Sequence, residues 1–224
     1  MHVRLQAAVG GAFLFAVLAI ALFVPSGTID YWQAWVGLGV FGSTSTAITI
    51  YLARRDPALL ARRVRGGPTS EARALQQGVQ AVTSLAFIAL FVIAGLDHRA
   101  TWSRVPVAIV AVGDALVALG MAAVFFVFRA NTFASSTVEI QPGQSVISTG
   151  PYAIVRHPMY ASALVLLGGF PLALGSWWAE LANVPLVAAL VARLLDEERV
   201  LATRLPGYAE YRERVRFRLV PHVW

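Results

Sequence analysis

Residues 150–160 read Gly-Pro-Tyr-Ala-Ile-Val-Arg-His-Pro-Met-Tyr, and this polar segment separates apolar runs of membrane-spanning length. Glycine followed by proline at Gly150 and Pro151 predicts a turn. Pro158 predicts the first turn of a new helix that begins near Met159, because proline is favoured at the first helical position. The segment is therefore expected to be an ordered polar link that ends at a helix N-terminus.

The polar side chains of this link are Tyr152, Arg156, His157 and Tyr160. At a helix N-terminus, free N–H groups and the helix dipole favour an anion. Ionisable groups beside a bilayer are costly, so their presence indicates a functional site. The alternative is an interfacial loop whose arginine binds lipid phosphate and whose tyrosines form an aromatic belt. Physical arguments favour the two interpretations equally.

The composition is typical of a polytopic membrane protein. Of the 224 residues, 58% are hydrophobic and 13% are charged, about half the charged fraction of an average soluble domain. The chain has no cysteine, which excludes disulfides, thiolate catalysis and cysteine-based metal sites, and no lysine, which excludes a lysine Schiff base. No metal site is predicted. The net charge of +6 comes from arginines beside apolar runs, a pattern that favours anionic lipid over nucleic acid.

Hydropathy predicts an all-α membrane bundle of five to six transmembrane helices. The predicted spans are residues 6–24, 35–52, 79–96, 105–128, 160–174 and 177–195. The first run lacks a signal-peptide cleavage site and predicts a retained helix. Pro171, Asn183 and Pro185 interrupt the last two runs, so these two runs are alternatively a re-entrant or tilted hairpin.

The arginines are distributed unevenly over the predicted links. Most lie near the N-terminus, in the loop 54–73, after Phe128 and in the C-terminal tail. The links with few arginines are 25–34, 97–104 and 175–178. These two sets alternate as six crossings require, so the positive-inside rule predicts that both termini and the segment 150–160 are cytoplasmic. The loop 54–73, with six arginines, is expected to be a lipid-facing anchor.

Three further patterns have simple structural explanations. Residues Gly37 to Gly42 match G-x-G-x-x-G, but no strand precedes them, so they indicate close helix packing rather than dinucleotide binding. Asp114 lies within a span, where both a functional role and a structural hydrogen bond remain open. Tyr31 and Trp32 predict an interfacial aromatic pair.

The end of the last apolar run concentrates charge. Arg193 and Glu197 are four residues apart and share one helix face. Asp196, Glu197 and Glu198 are consecutive. A solvated helix end with an ion pair is one explanation. However, the helical hairpin returns this end to the membrane face of Arg156 and His157, which predicts one pocket between clusters of opposite charge. Two tyrosines three residues apart in the tail either cover this pocket or anchor the interface.

These motifs in order resemble the isoprenylcysteine carboxyl methyltransferase family, and the related phospholipid methyltransferases share much of the pattern. The motifs are Asn131-x-Phe133, Gly150-Pro151-Tyr152, Arg156-His157-Pro158-x-Tyr160, Glu197-Glu198-x-x-Leu201 and Tyr208-x-x-Tyr211. The resemblance covers about residues 125–218. It implies a helical membrane fold with S-adenosylmethionine in a cytoplasm-facing pocket, and a lipid-like acceptor that enters between helices. Within one integrated membrane domain, residues 1–78 would hold the N-terminal helices and basic loop, and residues 79–224 the methyltransferase core.

The resemblance also implies residue roles. The implied cofactor-binding residues are Tyr152, Arg156, His157, Pro158, Tyr160, Glu197, Glu198, Tyr208 and Tyr211. Glu197 or Glu198 would hold the cofactor's amino group or favour its sulfonium. Arg193 would orient the acceptor's carboxylate, with Arg193 and Glu197 as the catalytic pair and Asn131 contacting the substrate. Eukaryotic members often have a longer acidic run at this point, so the division of roles among the acids stays open.

The implied activity is S-adenosylmethionine-dependent methylation of a carboxylate on an isoprenylcysteine-type or other small lipophilic acceptor, because an arginine such as Arg193 binds a planar anion through two parallel hydrogen bonds. Phospholipid N-methylation is the first alternative and needs a base such as His157 or a glutamate. A sterol-reductase-like enzyme that uses NADPH and a non-catalytic membrane module are further alternatives. The expected partners are the lipophilic acceptor and membrane lipid, not nucleic acid.

Overall fold

The computed structural model describes residues 2–64, 66, 71 and 73–224, and these form helices and links without a β-strand. The helices are α1 (His2–Ser26), α2 (Trp32–Arg55), α3 (Pro57–Val64), α4 (Ala74–Ala100), α5 (Val107–Ala130), α6 (Pro158–Ala173), α7 (Asn183–Arg204) and α8 (Tyr208–Arg214). Short 3-10 turns cover Gly150–Ala153 and Trp178–Ala182. The predicted all-α class is confirmed.

Five helical segments of the described chain are long and apolar enough to cross a membrane. They are α1, α2, α4, α5 and the continuous segment Trp178–Arg204. The protein is thus a multi-pass membrane bundle by the length and composition of its helices. The remaining predicted span, residues 160–174, corresponds to α6, which has only 16 residues.

Although α6 is short, it reaches the far end of the bundle, opposite to the end at which the helix begins. This far end is formed by the links 27–31, 101–106 and 174–177. The Tyr31 hydroxyl donates a hydrogen bond to the carbonyl oxygen of Leu174 at 2.5 Å, and Ser176 Oγ donates to the carboxylate of Asp97. The α6–α7 hairpin therefore extends to the same level as the links of the other helices.

Glycines allow α5 and α6 to pack antiparallel at very short range. A Cβ atom added to Gly113 would lie 2.2 Å from the backbone nitrogen of Ala173, and one added to Gly169 would lie 2.9 Å from that of Val117. Without hydrophobic driving force inside a bilayer, such close backbone approach is a main source of helix association. This contact fixes the position of the α6 N-terminus, where the polar link 150–160 ends.

The main core is built from α1, α2, α4, α5, α6 and α7 around an aromatic cluster. Phe170 of α6 lies edge-on to Phe41, Phe87 and Phe91, at ring-centroid distances of 5.2, 5.6 and 5.3 Å. Edge-to-face geometry is favourable for such rings. The same cluster forms the inner boundary of the cavity described below.

Two expectations about the N-terminal helices are resolved by the packing. Gly37 faces Leu174 and Ala173, and Gly42 faces Phe15, as expected for glycines that serve helix packing. The interfacial position expected for Tyr31 is wrong, because Tyr31 is 1% exposed. Its ring instead enters the core, where the carbonyl of Leu174 gives the hydroxyl a partner, while the adjacent Trp32 is 46% exposed.

The basic loop is not simply a lipid-facing anchor. It contains α3, which starts at Pro57 and is capped by a hydrogen bond of 2.8 Å from Leu59 N to Asp56 Oδ1. Arg62 donates to the carbonyl oxygen of Thr132, so this residue faces protein. Arg63 and Arg73 also bind protein groups and are described with the site. The expectation is therefore wrong for these three arginines, although Arg54 and Arg55 are exposed; Arg65 lies outside the described residues.

Asp114, the acidic residue expected within a span, lies in α5. Its Oδ1 atom is buried and has no hydrogen-bond partner within the described residues. It lies 3.8 Å from the position of a Cβ atom on Gly37, away from the cavity of the site.

Candidate active site

A cavity of about 510 Å³ lies at the arginine-rich end of the bundle. Ten of the eleven site residues predicted from the sequence line it: Asn131, Tyr152, Arg156, His157, Pro158, Tyr160, Arg193, Glu197, Tyr208 and Tyr211. The exception is Glu198. The structure thus brings together residues that are spread over 80 positions of the chain, from 131 to 211.

The link 150–160 adopts the local structure predicted for it. Gly150 has a positive φ of 58°, and α6 begins at Pro158. The backbone N–H groups of Arg156 and His157 donate to the carbonyl oxygens of residues 217 and 218, at 2.9 and 3.0 Å. The C-terminal tail therefore holds this link in place by backbone pairing.

The anion expected beside Arg156 is supplied by the chain itself. Arg156 Nε lies 2.8 Å from Glu198 Oε1, and its Nη1 donates to the carbonyl oxygens of Val215 and Arg216 at 3.1 and 2.9 Å. Glu198 also accepts a bond of 2.7 Å from Arg218 Nε. His157 Nε2 lies 3.8 Å from the same carboxylate. Glu198 thus lies behind the cavity wall and ties the link to the tail.

The three consecutive acids have three different environments because successive helical residues point about 100° apart. Asp196 accepts hydrogen bonds from Arg73 at 2.8 and 2.5 Å and from Gln76. Glu198 faces the tail. Only Glu197 lines the cavity, where Tyr160 OH donates to its Oε2 at 2.5 Å.

Arg193 pairs with an acid that its helical spacing does not indicate. Its Nη2 lies 2.7 Å from Glu71 Oε1 and 2.6 Å from the carbonyl oxygen of Ser136, and its Nη1 donates to Gln76 at 2.9 Å. The side chain of Glu71 is only 2% exposed. The ion-pair partner of Arg193 is therefore Glu71, whereas Glu197, four residues along the same helix, binds Tyr160.

The tyrosines form a connected layer over the cavity. Asn131 Nδ2 donates to Tyr152 OH at 2.8 Å, and Tyr211 OH donates to the carbonyl oxygen of Tyr152 at 2.8 Å. Tyr208 OH is buried without a hydrogen-bond partner in the part of the chain that the structure describes. Burial raises the pKa of Tyr152 to about 12, and burial likewise raises the pKa of Tyr208 and Tyr211. All three are therefore neutral phenols at physiological pH.

The opposite wall of the cavity is apolar. It is contributed by the membrane helices α2, α4, α6 and α7 through Phe41, Phe87, Phe170, Leu186 and Leu190. A cavity with one charged and one apolar wall suits an amphiphilic molecule or a polar and an apolar molecule side by side.

Several lining or supporting residues were not predicted as site residues. They are Arg63, Glu71, Arg73, Gln76, Arg218 and the irregular segment 133–147. The segment has no hydrophobic periodicity, so no helical or strand pattern indicated its place. A usable signal existed only for α3, where Asp56 followed by Pro57 is a typical helix start.

Comparison with known proteins supports the resemblance. Residues 108–205 match the phospholipid methyltransferase family, which confirms the family resemblance predicted from the motifs. A cobalt-zinc-cadmium resistance protein, CzcN of Cupriavidus metallidurans, is 30% identical over 108 residues, which cover 46% of this chain and 48% of that protein. The chain thus spans about half the length of this curated relative. The family match includes α6, α7 and nearly all of α5, and it leaves out α1–α4 and α8.

Proposed function

We propose that the protein is an integral-membrane, S-adenosylmethionine-dependent methyltransferase, because residues 108–205 match the phospholipid methyltransferase family. The single observation that carries the proposal is the convergence of ten predicted site residues on one cavity at the arginine-rich end. A cavity of about 510 Å³ is within the range of small-molecule sites.

The residues present fit the cofactor. Glu197 offers a carboxylate to the cavity for the cofactor's amino group or its positive sulfur, and Tyr160 fixes the orientation of this carboxylate. The buried hydroxyl of Tyr208 lacks a partner within the described residues and needs one, since an unsatisfied buried hydroxyl costs about 1–3 kcal/mol. His157 and Arg156 complete this wall. Glu198 acts indirectly in this proposal, by holding Arg156 and the tail.

When bound, S-adenosylmethionine supplies a methyl group whose bond to positively charged sulfur breaks as a lone pair of the acceptor forms the new bond. The chain needs no nucleophile of its own for this chemistry. Its residues orient the two molecules and exclude water, an effect worth up to about 7–11 kcal/mol. Rigid anchoring of the link 150–160 by the tail serves this positioning.

We propose a small lipophilic acceptor with a carboxylate, such as an isoprenylcysteine-type molecule. The apolar wall from α2, α4 and α7 suits the lipophilic part. Three arginines line the cavity, and since Arg156 and Arg193 pair with Glu198 and Glu71, the third, Arg63, favours a negative group. Both Nη atoms of Arg193 already bind protein groups, so its proposed role is to position the wall beside the acceptor. Asn131 is proposed to act through Tyr152, to which it donates a hydrogen bond.

Phospholipid N-methylation is the second candidate, because an amine acceptor needs a base and the wall contains His157, whose Nε2 has no hydrogen-bond partner within the described residues. In both cases we propose, from the positive-inside rule, that the site and both termini lie on the cytoplasmic face.

The test is calorimetric binding of S-adenosylmethionine and S-adenosylhomocysteine to the detergent-purified full chain, with NADPH in parallel. Glu197→Gln is expected to weaken binding about tenfold or more, since a hydrogen-bonded charge is lost. Glu210→Gln, on the exposed face of α8, is the matched control and should bind like the wild type. Binding of NADPH alone would indicate a reductase, and binding of no cofactor would overturn the proposal. Methyl transfer to a farnesylcysteine analogue against phosphatidylethanolamine separates the two candidate acceptors.

A further inference from the structure

Arg63 belongs to the cavity wall but not to the part of the chain that matches the family. It lies on the short helix α3, and the match begins only at residue 108. Its side chain is partly buried, with the guanidinium carbon 5.2 Å from the ring centroid of Phe128. Nη1 donates to the carbonyl oxygen of Ser135 at 3.0 Å. One end of the side chain is thus anchored while the residue lines the cavity.

The three arginines of the wall differ in their counter-ions. Arg156 has Glu198 at 2.8 Å and Arg193 has Glu71 at 2.7 Å. All twelve Asp and Glu residues of the chain lie in the described ranges, and none comes within 4.0 Å of a nitrogen of Arg63. Among the cavity-lining arginines within those ranges, Arg63 is therefore the cation without a carboxylate.

A partly buried cation without a counter-ion is unfavourable. Burial, and then the neighbouring Arg193, lower the pKa of Arg63, while Tyr160 and Tyr152 nearby act in the opposite direction. Arginine nevertheless remains charged in proteins, so the charge must be balanced by a group from outside. A purely structural role would explain only one of the five guanidinium N–H groups of Arg63, the Nη1 group that donates to the carbonyl oxygen of Ser135.

Arg63 and Glu197 line the same cavity. Tyr160, which also lines it, donates a hydrogen bond to Glu197 Oε2. The cavity wall therefore offers both a cation and an anion. Methyl transfer requires the reacting atoms of donor and acceptor to approach to about 3–3.5 Å, so both molecules must bind together in this cavity.

We propose that Arg63 binds the negatively charged group of the methyl acceptor, so that α3 determines acceptor specificity for lipophilic molecules with an anionic oxygen group, a carboxylate or a phosphate. This inference rests on the proposed function and deepens it. In the proposed arrangement, Glu197 serves the cationic donor and Arg63 the anionic acceptor, while Arg156 and Arg193 are neutralised within the protein.

The test measures binding of three probes to the detergent-purified full chain, with and without S-adenosylhomocysteine. The probes are N-acetyl-S-farnesylcysteine, its neutral primary amide and dioctanoyl phosphatidylethanolamine. The wild type should bind at least one of the two anionic-oxygen probes about 10- to 100-fold more tightly than the amide. Arg63→Gln should remove this preference and leave the affinity for S-adenosylhomocysteine unchanged. Arg63→Lys should keep part of it, and Arg54→Gln, at an exposed position of α2, should keep all of it.

The probe that shows the preference identifies the anionic group as carboxylate or phosphate. A wild type without the preference, or an Arg63→Gln variant that keeps it, would overturn the inference. If Arg63→Gln fails to fold, the wild-type preference and its reduction in Arg63→Lys decide the question. This test can fail separately from the test of the proposed function. If the wild type does not bind S-adenosylhomocysteine, the proposed function is overturned, but the ratio of acid to amide binding still reports on Arg63.

Discussion

The two ends of the bundle both bury acidic side chains, but they treat them differently. At the far end, Asp97 is 1% exposed and accepts hydrogen bonds from Ser103 N at 2.7 Å, Ser103 Oγ at 2.6 Å and Ser176 Oγ. Ser176 Oγ in turn accepts a bond of 3.1 Å from Ala179 N. Both carboxylate oxygens of Asp97 are satisfied, and the network joins α4 to the α6–α7 turn.

At the cavity end, the network is incomplete within the described residues. Among these residues, Tyr208 OH has no hydrogen-bond partner, and Arg63 has no carboxylate as a counter-ion. Glu197 accepts a hydrogen bond from Tyr160 at one of its two oxygens. Buried polar groups in proteins are normally paired, so several incompletely paired groups that line one cavity indicate that a ligand binds there, in contrast to the isolated Asp114. The two ends thus differ in role: the fully paired network around Asp97 stabilises the fold, and the incompletely paired groups around the cavity bind a ligand. Each variant or condition below tests one of these two assignments.

The largest effect is expected for Glu198→Ala, which removes the counter-ion of Arg156 and Arg218. Loss of one partner from a buried ion pair typically costs about 3–5 kcal/mol, and the side chain of Arg156 is 6% exposed. Denaturant unfolding in detergent would measure the loss, with Glu210→Ala on an exposed helix face as the control. A loss below about 1 kcal/mol would show that this cluster is not the structural part of the cavity end.

The next effect is expected for Asp97→Asn at the far end. The new amide group would oppose serine donors, so the free energy of unfolding should fall by about 1–3 kcal/mol. Affinity for S-adenosylhomocysteine should stay unchanged under conditions where the variant is folded. A selective loss of that affinity would contradict the assignment of the far end to stability alone.

A smaller effect is expected for Tyr160→Phe, which removes the hydrogen bond to Glu197 and leaves the carboxylate in place. Affinity for S-adenosylhomocysteine should fall about 2- to 10-fold, with little change in stability. Tyr51→Phe is a matched control, since Tyr51 packs edge-on against Phe125 at 4.9 Å in another part of the bundle. Equal affinity in both variants would remove Tyr160 from the binding wall.

The last prediction concerns pH and applies only above the physiological range. Burial raises the pKa of Tyr152 to about 12, so the folded protein keeps this phenol protonated above the pH at which the unfolded chain loses the proton. The free energy of unfolding should therefore fall as pH rises from about 10 to about 12 and show no contribution from this tyrosine below about pH 9. Tyr152→Phe should reduce that fall. An unchanged slope would mean that the phenol titrates normally.

Sequence patterns predicted the parts of the structure that depend on local rules. Apolar runs predicted the membrane helices, and the proline rule predicted the start of α6 at Pro158. The order of motifs in the C-terminal half predicted ten residues of one cavity, since the helical hairpin returns Glu197 to the level of Arg156.

Contacts across long sequence distances could not be predicted in this way. The pairing of Arg193 with Glu71 and of Arg73 with Asp196 depends on how α4 packs against α7, which spacing within one helix does not reveal. Tyr31 was assigned to the interface because its neighbours resemble an aromatic belt, whereas the carbonyl of Leu174 draws it into the core. An i,i+4 rule describes only helix neighbours, so the spacing of Arg193 and Glu197 could not indicate the ion pair with Glu71.

The backbone pairing of residues 217 and 218 with Arg156 and His157 also has a consequence for biosynthesis. A ribosome translates the membrane helices first, so these can enter the bilayer before the segment that holds the link 150–160 has been made. Only when residues 215–218 leave the ribosomal tunnel can they pair with the earlier link. A nascent chain arrested before residue 215 would thus be inserted in the membrane but lack the backbone support of the link 150–160.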